Sequence, residues 1–236
     1  MSQVDEGAVM SLEEFVQFCK DEWKKISQPS PEKVSEFDLH SFVIYLLYSE
    51  ILSTCEAFIL LDREYPGEAS LSVITRLFFE QLVSLEYILQ DSDPPKRIGD
   101  LQLTSINRKI RQVKEVMEHD VFKGEKASLQ IRVTDFERDK AKIQKRGCKD
   151  RDLKCRANKA FGDDMLYEIL YSHLSNDAHV CIESIQLRWI PDGHGSSALG
   201  KRSASKQQEY ETIEALLPEV SRKVFDFFGV DFSSQE

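Results

Sequence analysis

The stretch FVIYLLYSEILSTCEAFILL, residues 42–61, carries apolar side chains nearly all round a helix of 3.6 residues per turn. A helix that is apolar on most sides lies in a protein interior. We therefore predict a central helix over Val34–Glu64. A turn signal, YPG at residues 65–67, follows it, and a second richly apolar segment covers Ala69–Leu89. These two helices should pack as an antiparallel hairpin.

Five further segments are predicted to be helical, four of them because apolar residues recur at helical spacing. The segment at residues 129–146 has helical propensity but few apolar residues, so we expect a peripheral, solvated helix there. The first of the five opens with a capping box, in which Ser11 and Glu14 are spaced to exchange hydrogen bonds at a helix start. No run of alternating residues is long enough to demand a sheet. The sequence therefore predicts an all-α, single-domain helical bundle of about six or seven helices. The five segments are residues 11–26, 98–119, 129–146, 163–190 and 207–228.

The bundle is predicted to occupy residues 11–232, after a flexible tail at residues 1–10. Two segments interrupt it. One is a basic excursion at residues 138–159. The other is a Gly- and Ser-rich loop, or at most a short hairpin, at residues 191–206.

Charge, hydropathy and cysteine content limit which partners the chain can bind and in which cellular compartment we expect it. A formal net charge of -10 and a pI near 5.1 argue against a surface built as a whole for nucleic acid or anionic membrane, so such contact must be local. No continuous apolar run approaches the roughly 20 residues of a spanning helix, and the N-terminus lacks a secretion signal. Five cysteines, an odd number without a CxxC pair, fit reduced thiols. We therefore expect a cytoplasmic chain that does not contact a membrane.

The basic excursion holds ten Lys or Arg against three acids, which is the strongest local charge in the chain. It has two interpretations. Such a concentration is typical of a surface that binds a phosphate backbone, because each cation on a phosphate releases condensed counterions. It is equally typical of a flexible, solvated segment that docks on the acidic surface of its own chain or of a second copy. On the first interpretation the candidate RNA-binding residues are Lys145, Arg146, Lys149, Arg151, Lys154 and Arg156.

Polar residues crowd one apolar helical segment, YEILYSHLSNDAH at residues 167–179. Tyr171, Ser175 and His179 follow each other at i, i+4 and i+8, so they lie on one face of a helix. His173 and His179 are six residues apart and diverge around that helix, which argues against a metal site. The chain also lacks GxGxxG, Walker A, HExxH and GxSxG motifs, so we expect no metal and no cofactor.

Several of these residues recur in a known pattern. The pattern comprises RLFFE at residues 76–80, LEYI at residues 85–88, and Tyr167, Tyr171, Leu174-Ser175 and His179. This combination, spread over roughly residues 35–190, resembles a large bacterial and archaeal family of helical proteins catalogued as a domain of unknown function. That family is similar to the HEPN (higher eukaryotes and prokaryotes nucleotide-binding) helical domains, many of which are metal-independent, dimeric ribonucleases of toxin and antiviral systems.

The resemblance implies a catalytic site. His179 matches the HEPN histidine, which would act as general acid or base on the ribose 2′-hydroxyl. The arginine that precedes that histidine in HEPN domains is absent, because His173, Leu174 and Ser175 stand in its place. Arg76 is then the candidate phosphate ligand, and Glu80 would orient it. Tyr171 and Ser175 would line the site.

The function therefore has two interpretations, and whether the chain is an enzyme stays open. In the first, it is a HEPN-like bacterial defence or toxin-type protein that cleaves RNA and forms homo-oligomers. In the second, it is a non-catalytic helical module that binds a partner protein of a defence or toxin system, or a second copy of itself. On that view Arg76, Glu80, Tyr171, Ser175 and His179 form a buried hydrogen-bonded network that fixes helix packing.

Overall fold

The computed structural model describes residues 10–27, 39–64, 69–90, 93–162, 167–168, 189–191, 197–199 and 203–232. Within these residues the chain is all-α, as predicted, apart from one small hairpin. The helices are α1 (Leu12–Ser27), α2 (Leu39–Glu64), α3 (Ala69–Leu89), α4 (Pro94–Glu118), α5 (Lys126–Gln144), α6 (Leu153–Phe161) and α7 (Ser203–Phe227). A 3-10 helix (Asp120–Glu125) joins α4 to α5. Strands β1 (Trp189–Pro191) and β2 (Ser197–Leu199) pair antiparallel.

Backbone contacts group the chain into two compact units. The first unit contains α1, residues 45–64 of α2, residues 69–82 of α3, the hairpin and α7. Its aromatic centre is a set of edge-to-face contacts, with the Trp23 and Tyr48 rings 4.8 Å apart and the Tyr48 and Phe225 rings 5.8 Å apart. The Tyr48 hydroxyl donates to Ser221 Oγ at 2.8 Å, so the polar atom of this buried ring is satisfied.

The second unit contains residues 39–44 of α2, residues 83–89 of α3, α4, the 3-10 helix, α5 and α6. Helices α4 and α5 pack against each other as a helical hairpin. Leu103 and Ile110 are buried on α4, whereas α5 buries only Leu129 and Val133. The prediction that α5 is a peripheral, solvated helix is therefore confirmed.

Local signals placed some helix ends well. Helix α3 begins and ends at the predicted residues. The capping box of α1 forms, because the Ser11 backbone N–H donates to Glu14 Oε2 at 2.9 Å and the Glu14 backbone N–H donates to Ser11 Oγ at 3.3 Å. The hairpin at residues 189–199 matches the second option for the 191–206 loop, although β1 begins at Trp189.

Other predicted helix ends are wrong for identifiable reasons. The sequence pattern predicts a break at Asp93-Pro94-Pro95 and a helix starting at Ile98, yet α4 starts at Pro94. Asp93 caps it by accepting from the Lys96 backbone N–H, and proline suits the first helical turn because its missing N–H has no partner there. Gly124 is typical of a stop to this helix, but it lies inside the 3-10 helix beyond it. The predicted helix over residues 163–190 falls mostly outside the described residues.

Helix α2 is as apolar as the sequence predicts. Among the described helices it alone is long and apolar enough to cross a membrane by length and composition, with a mean hydropathy of 1.6 over an 18-residue stretch within residues 40–64. Its side chains at Tyr48, Ile51, Cys55 and Phe58 are fully buried in the first unit. A core helix of a globular protein meets the same length and composition test.

Candidate functional site

Arg76 and Glu80 occupy successive turns of α3, with their side chains 24% and 36% exposed. Arg76 Nε donates to Glu80 Oε1 at 3.1 Å. The predicted pairing of these two residues along the helix is therefore present. A bond to Nε restricts the orientation of a guanidinium, because Nε is part of that rigid, planar group. That Glu80 orients Arg76 for a substrate stays a prediction.

The second half of the predicted catalytic site cannot be compared with the structure. Tyr171, Ser175 and His179 lie outside the described residues. Their approach to Arg76 stays a prediction.

The structure reveals a polar cluster in the second unit that the sequence analysis missed. Asp100 on α4 is 2% exposed and accepts three hydrogen bonds. The Tyr87 hydroxyl donates to it at 2.6 Å, the Lys149 backbone N–H at 2.6 Å and Arg151 Nε at 3.2 Å. Arg97 Nη1 donates to the Tyr87 hydroxyl at 2.6 Å, and its guanidinium carbon lies 4.3 Å from the centre of that ring. Asp100 thus connects α3, α4 and the segment that leads into α6.

The same segment lies close to the α4 backbone at Gly99. A Cβ atom at Gly99 would stand 2.4 Å from Cys148 Sγ, so only glycine permits this approach. One residue further along the segment from Lys149, Asp150 accepts from Thr104 Oγ1 at 2.8 Å and from Asn107 Nδ2 at 2.6 Å. Residues 148–151 therefore dock along one face of α4. The basic excursion docks on its own chain, as one of the two interpretations expected.

The six predicted RNA-binding residues are placed in different environments. Lys145, Arg146 and Lys149 are exposed, while Lys154 is half-buried. Arg151 pairs with Asp100 and also donates to Cys155 Sγ at 3.4 Å, and Arg156 Nη1 donates to Ser84 Oγ at 2.9 Å. The last two arginines therefore hold the second unit together.

Two sequence signals pointed toward the cluster. Tyr87 is part of the LEYI motif, and Asp100 follows Ile98 at the buried start of α4. An acid in a buried helical face needs partners, but their identity depends on pairing between residues about fifty positions apart. In the part of the chain that the structure describes, no three His, Cys, Asp or Glu side chains converge in a way that could hold a metal ion.

A family model matches residues 41–196, more than half of the chain, and its description is a family of unknown function, DUF5677. The chain belongs to the DUF5677 family. Arg76, Glu80, Tyr87, Asp100, Arg151 and His179 all lie within the span matched to DUF5677. The predicted membership of a domain-of-unknown-function family is confirmed. No curated protein and no solved structure gives a significant match.

The Asp100 cluster predicts a pH dependence of stability. Burial and, after it, the hydrogen bond to Asp100 raise the pKa of Tyr87 from its ordinary value of 10.0 to about 12, against an opposing effect of Arg97. Below pH 10 the phenol is protonated in the folded and unfolded chains, so its contribution is complete. Between pH 10 and about 12 only the unfolded chain loses the proton, and stability falls with rising pH.

The matching variant is Tyr87→Phe. We expect the variant to have a lower free energy of unfolding in urea than the wild type below pH 10. Between pH 10 and about 12 its free energy of unfolding should fall by less than that of the wild type. Equal losses in both proteins across that range would show that Tyr87 does not titrate late.

Proposed function

We propose that this DUF5677 protein is a HEPN-like ribonuclease that cleaves RNA phosphodiesters without a metal. It would act in the cytoplasm as a homo-oligomer within a defence or toxin system. The observation that supports the proposal is the Arg76–Glu80 pair, in which a partly exposed guanidinium is held by a carboxylate on the next helical turn. A planar, oriented guanidinium suits a phosphate group, because two parallel N–H donors match two phosphate oxygens.

The chemistry assigns a separate task to each residue. His179 removes the proton of a ribose 2′-hydroxyl, and the oxygen attacks the adjacent phosphorus. The bond from phosphorus to the 5′-oxygen breaks, and that oxygen takes a proton from water. The products are a 2′,3′-cyclic phosphate and a 5′-hydroxyl. Arg76 stabilises the negative charge that grows on the phosphoryl oxygens, and Glu80 keeps Arg76 in position.

The test compares wild type with His179→Ala on bulk RNA in the presence of a chelator. We expect the wild type to cleave RNA, and the variant to be slower by about 100- to 10,000-fold because general acid–base catalysis is lost. A 2′-deoxy oligonucleotide should stay intact, since it has no attacking hydroxyl. His119→Ala is the matched control, because His119 is an exposed histidine at the C-terminal end of α4. Cleavage that persists in His179→Ala, or no cleavage by either protein, would exclude the proposal.

A second candidate is the non-catalytic interaction module, and a groove in the first unit favours it. The groove has a volume of about 350 Å³ and lies between α1 and α2. Val16, Ala57 and Leu60 provide apolar surface, with Leu60 51% exposed, while Glu13 and Arg63 stand at its edge. On this proposal a partner protein occupies the groove, and His179→Ala lowers the melting temperature without affecting any activity.

A further inference from the structure

The acids near the basic excursion are engaged by hydrogen-bond donors of their own unit. Asp93 accepts from the Lys96 backbone N–H at 3.4 Å, and Asp152 accepts from the Cys155 backbone N–H at 2.7 Å. Asp150 is bound by two α4 side chains, and Asp100 is buried under three donors. These carboxylates are therefore committed to internal contacts.

Four cations, one in the first turn of α4 and three between α5 and α6, lack such contacts. Lys96, Lys145, Arg146 and Lys149 are exposed, and their side chains make no ion pair or hydrogen bond within the described part of the chain. Some exposed cations of α5 are paired, as Arg138 is with Asp135 at 2.8 Å and Lys142 with Asp139 at 3.0 Å, whereas others, such as Arg132, are not paired within the described residues. These four unpaired cations lie at the start of α4 and directly after α5.

Lys96 lies near the other three cations because residues 148–151 dock on α4. Lys96 lies one helical turn before Gly99, and Gly99 contacts Cys148, which lies between Arg146 and Lys149 in sequence. Burial raises the pKa of the Cys148 thiol and Asp100 adds to this, whereas Arg146 and Lys96 both act to lower it. Both cations therefore lie near the same thiol, although fifty residues separate them in the sequence.

We propose that Lys96, Lys145, Arg146 and Lys149 form one surface that binds the phosphate backbone of RNA, held in shape by the docking of residues 148–151 on Asp100, Thr104 and Asn107. The choice of RNA as ligand rests on the proposed function. Arg151 and Arg156 belong to the support of this surface and do not contact the ligand. Asp100 is a positioning residue, because it holds the Lys149 backbone and Arg151.

The chemistry of these four side chains determines how the surface should recognise RNA. All four contact groups are cationic side chains, the kind that supply contacts to phosphate oxygens, and phosphate contacts carry no sequence information. Binding should therefore be independent of base sequence and strongly dependent on salt. Four phosphate contacts on a single strand give a slope of about -2.8 in a plot of log K against log salt concentration, or about a 50-fold loss of affinity between 50 and 200 mM salt.

The experiment measures fluorescence anisotropy of a labelled polyuridine strand over a salt series. The proteins carry His179→Ala so that the RNA stays intact. The test variant adds Lys96→Gln, Lys145→Gln, Arg146→Gln and Lys149→Gln. The control variant adds Lys25→Gln, Lys114→Gln, Arg138→Gln and Lys142→Gln instead, which removes the same charge from four exposed cations that are ion-paired.

We expect the test variant to bind at least about tenfold more weakly at low salt, with a slope near zero, and the control to keep most of the affinity and the slope. Three results would contradict the proposed RNA-binding surface. They are no RNA binding by the His179→Ala parent, a test variant that binds RNA like this parent, or a control variant that loses as much affinity as the test variant. Binding without any cleavage by the wild type would support the surface and exclude the ribonuclease, so the two failures are distinguishable.

Discussion

Arg76→Ala is expected to slow RNA cleavage by about 100- to 1,000-fold, the loss caused by removal of one oriented group that stabilises transition-state charge. The rate should fall through kcat, because the negative charge that Arg76 meets is largest in the transition state. Initial rates over a range of RNA concentrations separate kcat from KM and check this expectation.

Two conservative variants separate the effect of the charge of Arg76 on catalysis from the effect of its orientation. Arg76→Lys keeps the charge but replaces the planar group with a point charge, so we expect an intermediate loss of roughly tenfold. Glu80→Gln keeps an oxygen that can accept from Arg76 Nε, but it removes the carboxylate charge that holds the guanidinium. If Glu80 orients Arg76, Glu80→Gln should also lower kcat.

Stability measurements distinguish a catalytic role from a structural one. A partly exposed pair at i and i+4 contributes under about 1 kcal/mol, so thermal unfolding of Arg76→Ala should change by only a few degrees. Lys223→Ala on α7 is the matched control, because it removes a similar pair with Glu219 at 2.8 Å and should leave cleavage unchanged. A large fall in stability with a parallel fall in activity would assign Arg76 to packing.

The helices could be predicted from the sequence because their signals are local. Apolar spacing and the Ser11–Glu14 capping box depend only on residues three or four positions apart. The start of α4 was harder to predict, because Asp93-Pro94-Pro95 suits both a break and a first turn.

The Asp100 cluster could not be predicted in the same way. Tyr87, Asp100 and Arg151 come from three separate elements, and no local pattern reports that they meet. Treating the basic excursion as one set of ten charges hid the difference between Arg151, which neutralises a buried acid, and Lys149, whose side chain is exposed. Charge counts identify a region, whereas the pairing of each charge depends on tertiary structure.

Asp100→Ala is expected to lower the free energy of unfolding by about 3 kcal/mol. Loss of one partner from a fully buried ion pair costs about 3–5 kcal/mol, and Arg151 is 21% exposed, so the lower end of that range applies. The Tyr87 hydroxyl and the Lys149 backbone N–H also lose their acceptor. Urea unfolding followed by circular dichroism measures the change.

Asp150→Ala is the matched control for Asp100→Ala. It removes an acid that also accepts two hydrogen bonds in the same segment, but Asp150 is exposed, so water replaces the lost contacts and we expect a loss of about 1 kcal/mol or less. Hydrogen exchange gives an independent readout, because the Lys149 amide should lose its protection in Asp100→Ala. Arg151→Ala in the Asp100→Ala background should then cost little more, since the ion pair is already broken. Additive losses from Asp100→Ala and Arg151→Ala would instead mean that the two residues stabilise the second unit independently.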